Sequence, residues 1–171
     1  MLHEQESFWH YPFRRAWSAD ETGAFLTRVQ MAYRDATPAV SAVVLAETNE
    51  LVGWAGLAVP TFLPEILPAI EVGWRLGEQH RGRGFATEAG AAWITYGFDA
   101  MGLDRIVSIY QPENIASGAV MQRLGFRFER RTLHPVLGVE LHVMSLGRGE
   151  RALSPDVGRS SSSPPPSSRH A

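Results

Sequence analysis

Gln79-His80-Arg81-Gly82-Arg83-Gly84 places two glycines one residue apart in a turn between an apolar stretch ending at Leu76 and a helix-like stretch beginning at Phe85. A strand that runs through such a turn into a helix aims successive backbone N–H groups and the positive end of the helix at one point, where an anion can sit. Gly82 and Gly84 permit close backbone approach, and Arg75, Arg81 and Arg83 add positive charge suited to a polyphosphate. A glycine-rich turn can also end a strand for conformational reasons alone. Two nucleotide-site classes fit poorly. A Walker-type loop needs a lysine after its last glycine, and the chain has none. A dinucleotide fingerprint needs a third small residue where Thr87 stands.

Outward from the turn, the pattern is mixed α/β. Ser18 followed by Glu21 is a capping-box signature, and Phe25, Val29 and Ala32 recur at helical spacing, which predicts a helix over 19–34. Branched apolar residues over 40–46 and 51–59, joined by Thr48-Asn49-Glu50, predict a hairpin. Pro60, Pro64 and Pro68 punctuate a loop, and 70–76 is the strand that enters the turn. The segment 85–101, with small residues at Ala86, Ala89 and Gly90, predicts a helix packed on a sheet and stopped by Gly102. A strand over 105–110, a short helix over 114–124 ended by Gly125, and a closing strand pair over 126–134 and 139–146 complete the order. One domain over 1–150 is expected, followed by a disordered Ser/Pro-rich tail over 151–171.

Two blocks then acquire a specific meaning together. Gln79-x-x-Gly82-x-Gly84, preceded by Glu71-Val72-Gly73-Trp74-Arg75-Leu76, resembles the acetyl-CoA motif of GNAT N-acetyltransferases. Asn114-Ile115-Ala116-Ser117 followed by Leu124-Gly125-Phe126 resembles the RimJ/RimL branch of that superfamily, and the spacing between the blocks fits as well. The resemblance covers about residues 8–147. It implies a mixed, mostly antiparallel central sheet flanked by helices, with acetyl-CoA as co-substrate. Backbone groups at Trp74, Arg75 and Leu76 would align the pantetheine arm, N–H groups from Arg81 through Gly82, Arg83, Gly84, Phe85 and Ala86 would hold the pyrophosphate, and Asn114 would contact the arm. Each has a plainer competitor: Asn114 is also a strong helix N-cap, and Arg81 and Arg83 are also solvated loop charges.

Acetylation needs a neutral amine, whereas a lysine-like amine has a pKa near about 10.4, so a base or a depressed amine pKa is required. Glu71, at the start of the strand leading into the motif, is the candidate base; its competitor is an ordinary surface carboxylate. Ser117 stands where the RimJ/RimL pattern carries serine and could donate a hydrogen bond to the departing sulfur; its competitor is a first-turn serine bonded to backbone. Many GNAT enzymes carry a tyrosine where Met121 stands here. Glu88 suits the helix dipole, and His80 reads as a solvated loop histidine. His134 and His142 are expected to face one another across the last hairpin. Phe8, Trp9, Tyr11, Phe13 and Trp17 either pack in the core or line an acceptor site.

Composition narrows the classes further. A chain of 171 residues, 44% hydrophobic and with a formal net charge of -2, can bury one core and is not a strongly basic nucleic-acid binder. The absence of cysteine excludes an acyl-cysteine intermediate and thiolate metal sites. Six scattered His give no ligand spacing, so metal-independent chemistry is expected. No apolar run approaches the roughly 18 residues of a membrane span. The expectation is a cytoplasmic acetyltransferase acting on a small-molecule amine or a protein N-terminus, without nucleic-acid or membrane partners. The alternative is a non-catalytic acyl-CoA-binding protein. RimJ/RimL-like chains begin with a further strand and helix that have no counterpart here, and the expected shortfall leaves an edge that a second subunit could cover as a homodimer.

Overall fold

The structure, a computed structural model, describes residues 6–153; the tail expected from the sequence lies outside the described residues but for its first turn of backbone. A 3-10 turn (Glu6–Trp9) leads into a short helical turn, α1 (His10–Phe13), in which Tyr11 is extended at φ -111 and ψ 131. Helix α2 (Ala19–Arg34) begins at the expected capping box. Ser18 Oγ accepts the Glu21 N–H at 3.2 Å, and Glu21 Oε2 accepts the Ser18 N–H at 2.8 Å, so two orphan donors of the first turn are satisfied.

Six strands follow the predicted order: β1 (Val40–Val44), β2 (Leu51–Ala58), β3 (Glu71–Leu76), β4 (Arg105–Tyr110), β5 (Arg127–Leu133) and β6 (Glu140–Gly147). They form one sheet in the order β1-β2-β3-β4-β6-β5, antiparallel throughout except for β3 and β4. Strand β1 stops two residues short of the expected end because the pairing register shifts between Val43 and Val44. The β1–β2 turn places Asn49 at φ 57, a left-handed position asparagine tolerates.

Two further helices, α3 (Phe85–Asp99) and α4 (Ile115–Arg123), lie on one face of the sheet. They enclose a core of Leu57, Val72, Phe98, Ile106, Met121 and Leu146, among others. Helix α3 ends two residues before the predicted limit, and Gly102 at φ 73 turns the chain toward β4. Gly90 lets α3 approach closely: a Cβ there would stand 2.8 Å from Leu124 Cδ1 and 3.4 Å from the Trp74 ring. On the opposite face, Leu63 and Ile66 of the Pro60–Pro68 loop cover Val107 and Val143. Toward β2 the same face carries Trp9, Trp17, Phe25 and Trp54, with Trp9 and Trp17 stacked at 3.6 Å.

Among the described residues no helix is long and apolar enough to cross a membrane.

Candidate active site

Strands β3 and β4 run parallel but touch at one register pair, Glu71 with Val107, supported by the Val107 N–H donating to Ile70 O at 2.9 Å. Past that pair they part. The next carbonyl of β3, that of Val72, accepts from the buried Ser108 hydroxyl at 2.9 Å, and the Ile109 N–H is directed to the Glu71 carboxylate. Side chains thus occupy backbone positions that a continuing ladder would use, and the sheet opens into a wedge. Within a cleft of about 1330 Å³, Trp74, Arg75 and Leu76 form one wall and Asn114, Ser117 and Val120 another.

The Gly82–Gly84 turn sits at one end of that cleft. Gly82 and Gly84 adopt φ 73 and φ 90, and a Cβ on either would meet nothing within 4 Å, so open space lies directly above the backbone. The first bond of α3 is donated by the Glu88 N–H to Gly84 O at 3.0 Å, which leaves the N–H groups of Phe85, Ala86 and Thr87 ahead of it without intrahelical partners. Uncovered glycines beside unpaired N–H groups at a helix N-terminus fit a pyrophosphate. The Arg81 N–H is not one of these donors, because it is spent on Glu78 O at 3.1 Å.

The arginines divide. Arg83 is exposed, with its guanidinium 4.9 Å from the Phe85 ring centroid. Arg75 and Arg81 instead hold the N-terminal segment. Arg75 donates through Nη1 to Phe8 O and through Nη2 to Tyr11 O at 2.7 Å, and Arg81 Nη2 donates to Ser7 O at 2.6 Å. The Arg75 guanidinium also lies 4.4 Å from the Trp9 ring centroid. Burial pushes Arg75 down to about 10, with repulsion from Arg81 adding to it, so it is cationic at neutral pH.

Asn114 caps α4, its Oδ1 accepting the Ser117 N–H at 3.2 Å. That bond leaves the Asn114 amide donors available to the cleft, so the capping and contact roles coexist. Ser117, half-buried, faces the same cleft in the first turn of the helix. Glu71 does not line the cleft with them. It stands at the apex of the wedge with partial exposure, and burial pushes its carboxyl up to about 8 against the opposing pull of the Ile109 N–H. Met121 is in the core, 2% exposed, and offers no group to the cleft.

Two expectations about side chains need correction. His80 is not a solvated loop residue: it is 3% exposed, and its Nε2 lies 3.3 Å from Glu50 Oε1 of the β1–β2 turn. The 3-10 turn Glu78–His80 folds the ring inward, a consequence of local backbone that composition does not reveal. His134 and His142 do not face each other; His134 stacks on Phe62, while His142 stands opposite Arg131 and packs on Tyr110 and Phe128. The aromatic segment splits, with Phe8 and Trp9 both 1% exposed and Tyr11 on the cleft; the Phe13 side chain lies outside the described residues. Tyr11 donates its hydroxyl to Glu113 O at 3.1 Å and was legible in the sequence only as one aromatic among several.

Known proteins give this geometry its context. Residues 1–127 match the family model described as the acetyltransferase (GNAT) domain. The uncharacterized N-acetyltransferase YnaD of Bacillus subtilis (strain 168) is 44% identical over 59 residues, which cover 34% of this chain and 35% of that protein. The crystal structure of a GNAT-family acetyltransferase from Bacillus anthracis superposes with a TM-score of 0.70 at 24% identity, over 87% of this chain and 86% of that one. Mycobacterium smegmatis RimJ in complex with CoA-disulfide superposes with a TM-score of 0.65 at 22% identity, over 79% and 65% respectively. These two likenesses are of fold, and the match to YnaD spans about a third of that relative's length. With the family model covering most of its residues, the chain belongs to the GNAT acetyltransferase family.

Proposed function

We propose that the protein is an N-acetyltransferase of the RimJ/RimL-like branch that moves an acetyl group from acetyl-CoA to a primary amine, on a small molecule or a protein N-terminus, by direct attack. The observation that carries this reading is the parting of β3 and β4 beside an open, glycine-lined helix N-terminus, which gives one continuous site for a phosphate-bearing ligand with an extended arm. The solved RimJ complex with CoA-disulfide supports the choice of a CoA derivative as that ligand.

In this reading Gly82, Arg83, Gly84, Phe85 and Ala86 hold the pyrophosphate through backbone N–H groups. The Trp74–Leu76 edge and the Asn114 amide hold the arm. Arg75 and Arg81 act at one remove, by fixing the segment over the cleft, rather than as phosphate ligands. Acetyl-CoA supplies an activated acyl group whose leaving sulfur is a good leaving group. Glu71 takes the proton from the acceptor nitrogen, directly or through water; a carboxyl raised to about 8 is a better match for an ammonium than one at its ordinary value. Ser117 donates a hydrogen bond toward the departing thiolate.

The place of Met121 in the core favours a second reading, a protein that binds acyl-CoA without turnover. A cytoplasmic setting belongs to the first reading. So does a homodimer, in which a second copy pairs with the outer edge of β1.

Calorimetric titration with acetyl-CoA, NAD serving as control, tests the ligand. Gly82→Trp puts an indole into the open space above the turn and a side chain at φ 73, and is expected to abolish binding. A folded wild type that shows no preference for acetyl-CoA over NAD overturns the proposal. An amine panel read by thiol release then separates transfer from binding alone.

A further inference from the structure

Ser7, Phe8, His10 and Tyr11 line the cleft. At the end with the glycine turn, Ser7 O accepts from Arg81. Beside Asn114, Tyr11 is fixed on both sides. Its carbonyl accepts from Arg75 of β3, and its hydroxyl donates to Glu113 O, just ahead of α4. The residue is extended within an otherwise helical turn, and its ring meets His10 edge-on at 4.6 Å between centroids. Tyr11 therefore joins the two walls of the wedge, its carbonyl held from the β3 side and its phenol bonded to the residue that precedes Asn114.

We propose that Tyr11 sets the upper size of the acyl group this protein accepts, as a bar across the acyl end of the cleft. The inference rests on the CoA-thioester reading above. An arm laid from the glycine turn along Trp74–Leu76 brings its reactive end between Trp74 and Ser117, within the cleft that Tyr11 also lines and close in sequence to its partners Arg75 and Glu113. A two-carbon acyl group ends there. A longer chain meets the ring and must break its bond to Glu113 or leave the cleft.

Without the bar, the cleft would favour longer chains. Its walls are largely apolar, with Leu76, Phe85, Ile94, Val120 and Leu124 among the lining residues. Each buried methylene raises affinity by about fourfold in an open apolar groove. A preference for the shortest chain thus has to come from an obstruction, and Tyr11 is the partly exposed group placed to provide it.

The test is calorimetric binding of CoA, acetyl-CoA, butyryl-CoA and hexanoyl-CoA to the full chain and to Tyr11→Ala, with melting curves to establish that both are folded. The wild type is expected to bind acetyl-CoA at least about tenfold more tightly than hexanoyl-CoA. Tyr11→Ala is expected to erase or reverse that order while CoA itself binds within about threefold of wild type. Tyr11→Leu, which keeps apolar bulk and removes the outer ring and hydroxyl, serves if alanine unfolds the chain and is expected to admit butyryl-CoA. Equal binding of all chain lengths by the wild type, or a preference that survives both substitutions, overturns the role of Tyr11 and leaves the CoA site standing. Failure of every CoA to bind overturns the underlying reading, and this inference with it.

Discussion

Ser108 donates its hydroxyl to the carbonyl of Val72 across the gap where β3 and β4 begin to part, one step beyond the Glu71–Val107 rung. Both groups are buried, so the bond replaces a missing ladder contact in a place water does not fill. Ser108→Ala leaves the Val72 carbonyl without this donor. The expected result is a loss of about 1–2 kcal/mol in urea denaturation. Acetyl-CoA affinity should fall as well, because the wall that holds the arm starts at this bond. Unchanged stability would mean that the wedge is held by packing alone.

Glu71 couples stability to pH in a direction opposite to that of an ion-paired carboxylate. Its folded value, about 8, is above the ordinary 4.5, so the folded state keeps a proton that the unfolded state has released. The stabilising contribution of the protonated form is fully present below about 4.5 and is lost as pH rises through about 8. Relative to Glu71→Gln, the wild type should therefore lose melting temperature progressively across that window and level off above it. If Glu71 is also the base, turnover should climb with an apparent midpoint near 8. The glutamine variant should then be slower by at least about a hundredfold, with the midpoint gone. A stability effect without an effect on rate would leave Glu71 a buried carboxyl and no more.

Asn114 permits its two roles to be separated. Asn114→Asp keeps an oxygen for the Ser117 N–H and removes the amide donors, whereas Asn114→Ala removes both. The alanine variant should lose about 1 kcal/mol of stability through the missing cap. The aspartate variant should keep stability and lose about tenfold in acetyl-CoA affinity, one hydrogen bond's worth at about 1.4 kcal/mol per decade. Matching affinities for aspartate and wild type would reduce Asn114 to a capping residue.

What the sequence disclosed follows from range. The Ser18–Glu21 capping box, the left-handed glycines at 82 and 84, and the Asn114 cap are each settled by a few neighbouring residues, and all could be anticipated. The order of strands and helices followed from periodicity in the same way. The use of Arg75 could not: its partners Phe8 and Tyr11 lie 67 and 64 residues away, and nothing around position 75 distinguishes a guanidinium that binds phosphate from one that binds carbonyls. The same applies to His80, buried by a turn and facing Glu50 of the β1–β2 turn. The parting of β3 from β4 is not legible in the sequence, because Ser108 and Glu71 are ordinary strand residues by pattern and only the fold puts their side chains in backbone positions.

Arg75 offers the sharpest check on how the segment over the cleft is held. Its planar fork reaches two carbonyls at once while lying over the Trp9 ring, and a lysine ammonium has neither the fork nor the plane. Arg75→Lys should cost about 1.5–3 kcal/mol, the range for a hydrogen bond that involves a charged group. The loss should also be local. Amide exchange should quicken over residues 7–11, while the amides of β2 and β6, held by strand pairing on both sides, keep their protection. Binding of hexanoyl-CoA should improve relative to acetyl-CoA, because freeing the Tyr11 carbonyl loosens the bar without removing its ring. Faster exchange throughout the sheet would instead make Arg75 a support of the whole core, and the segment would then have no independent hinge.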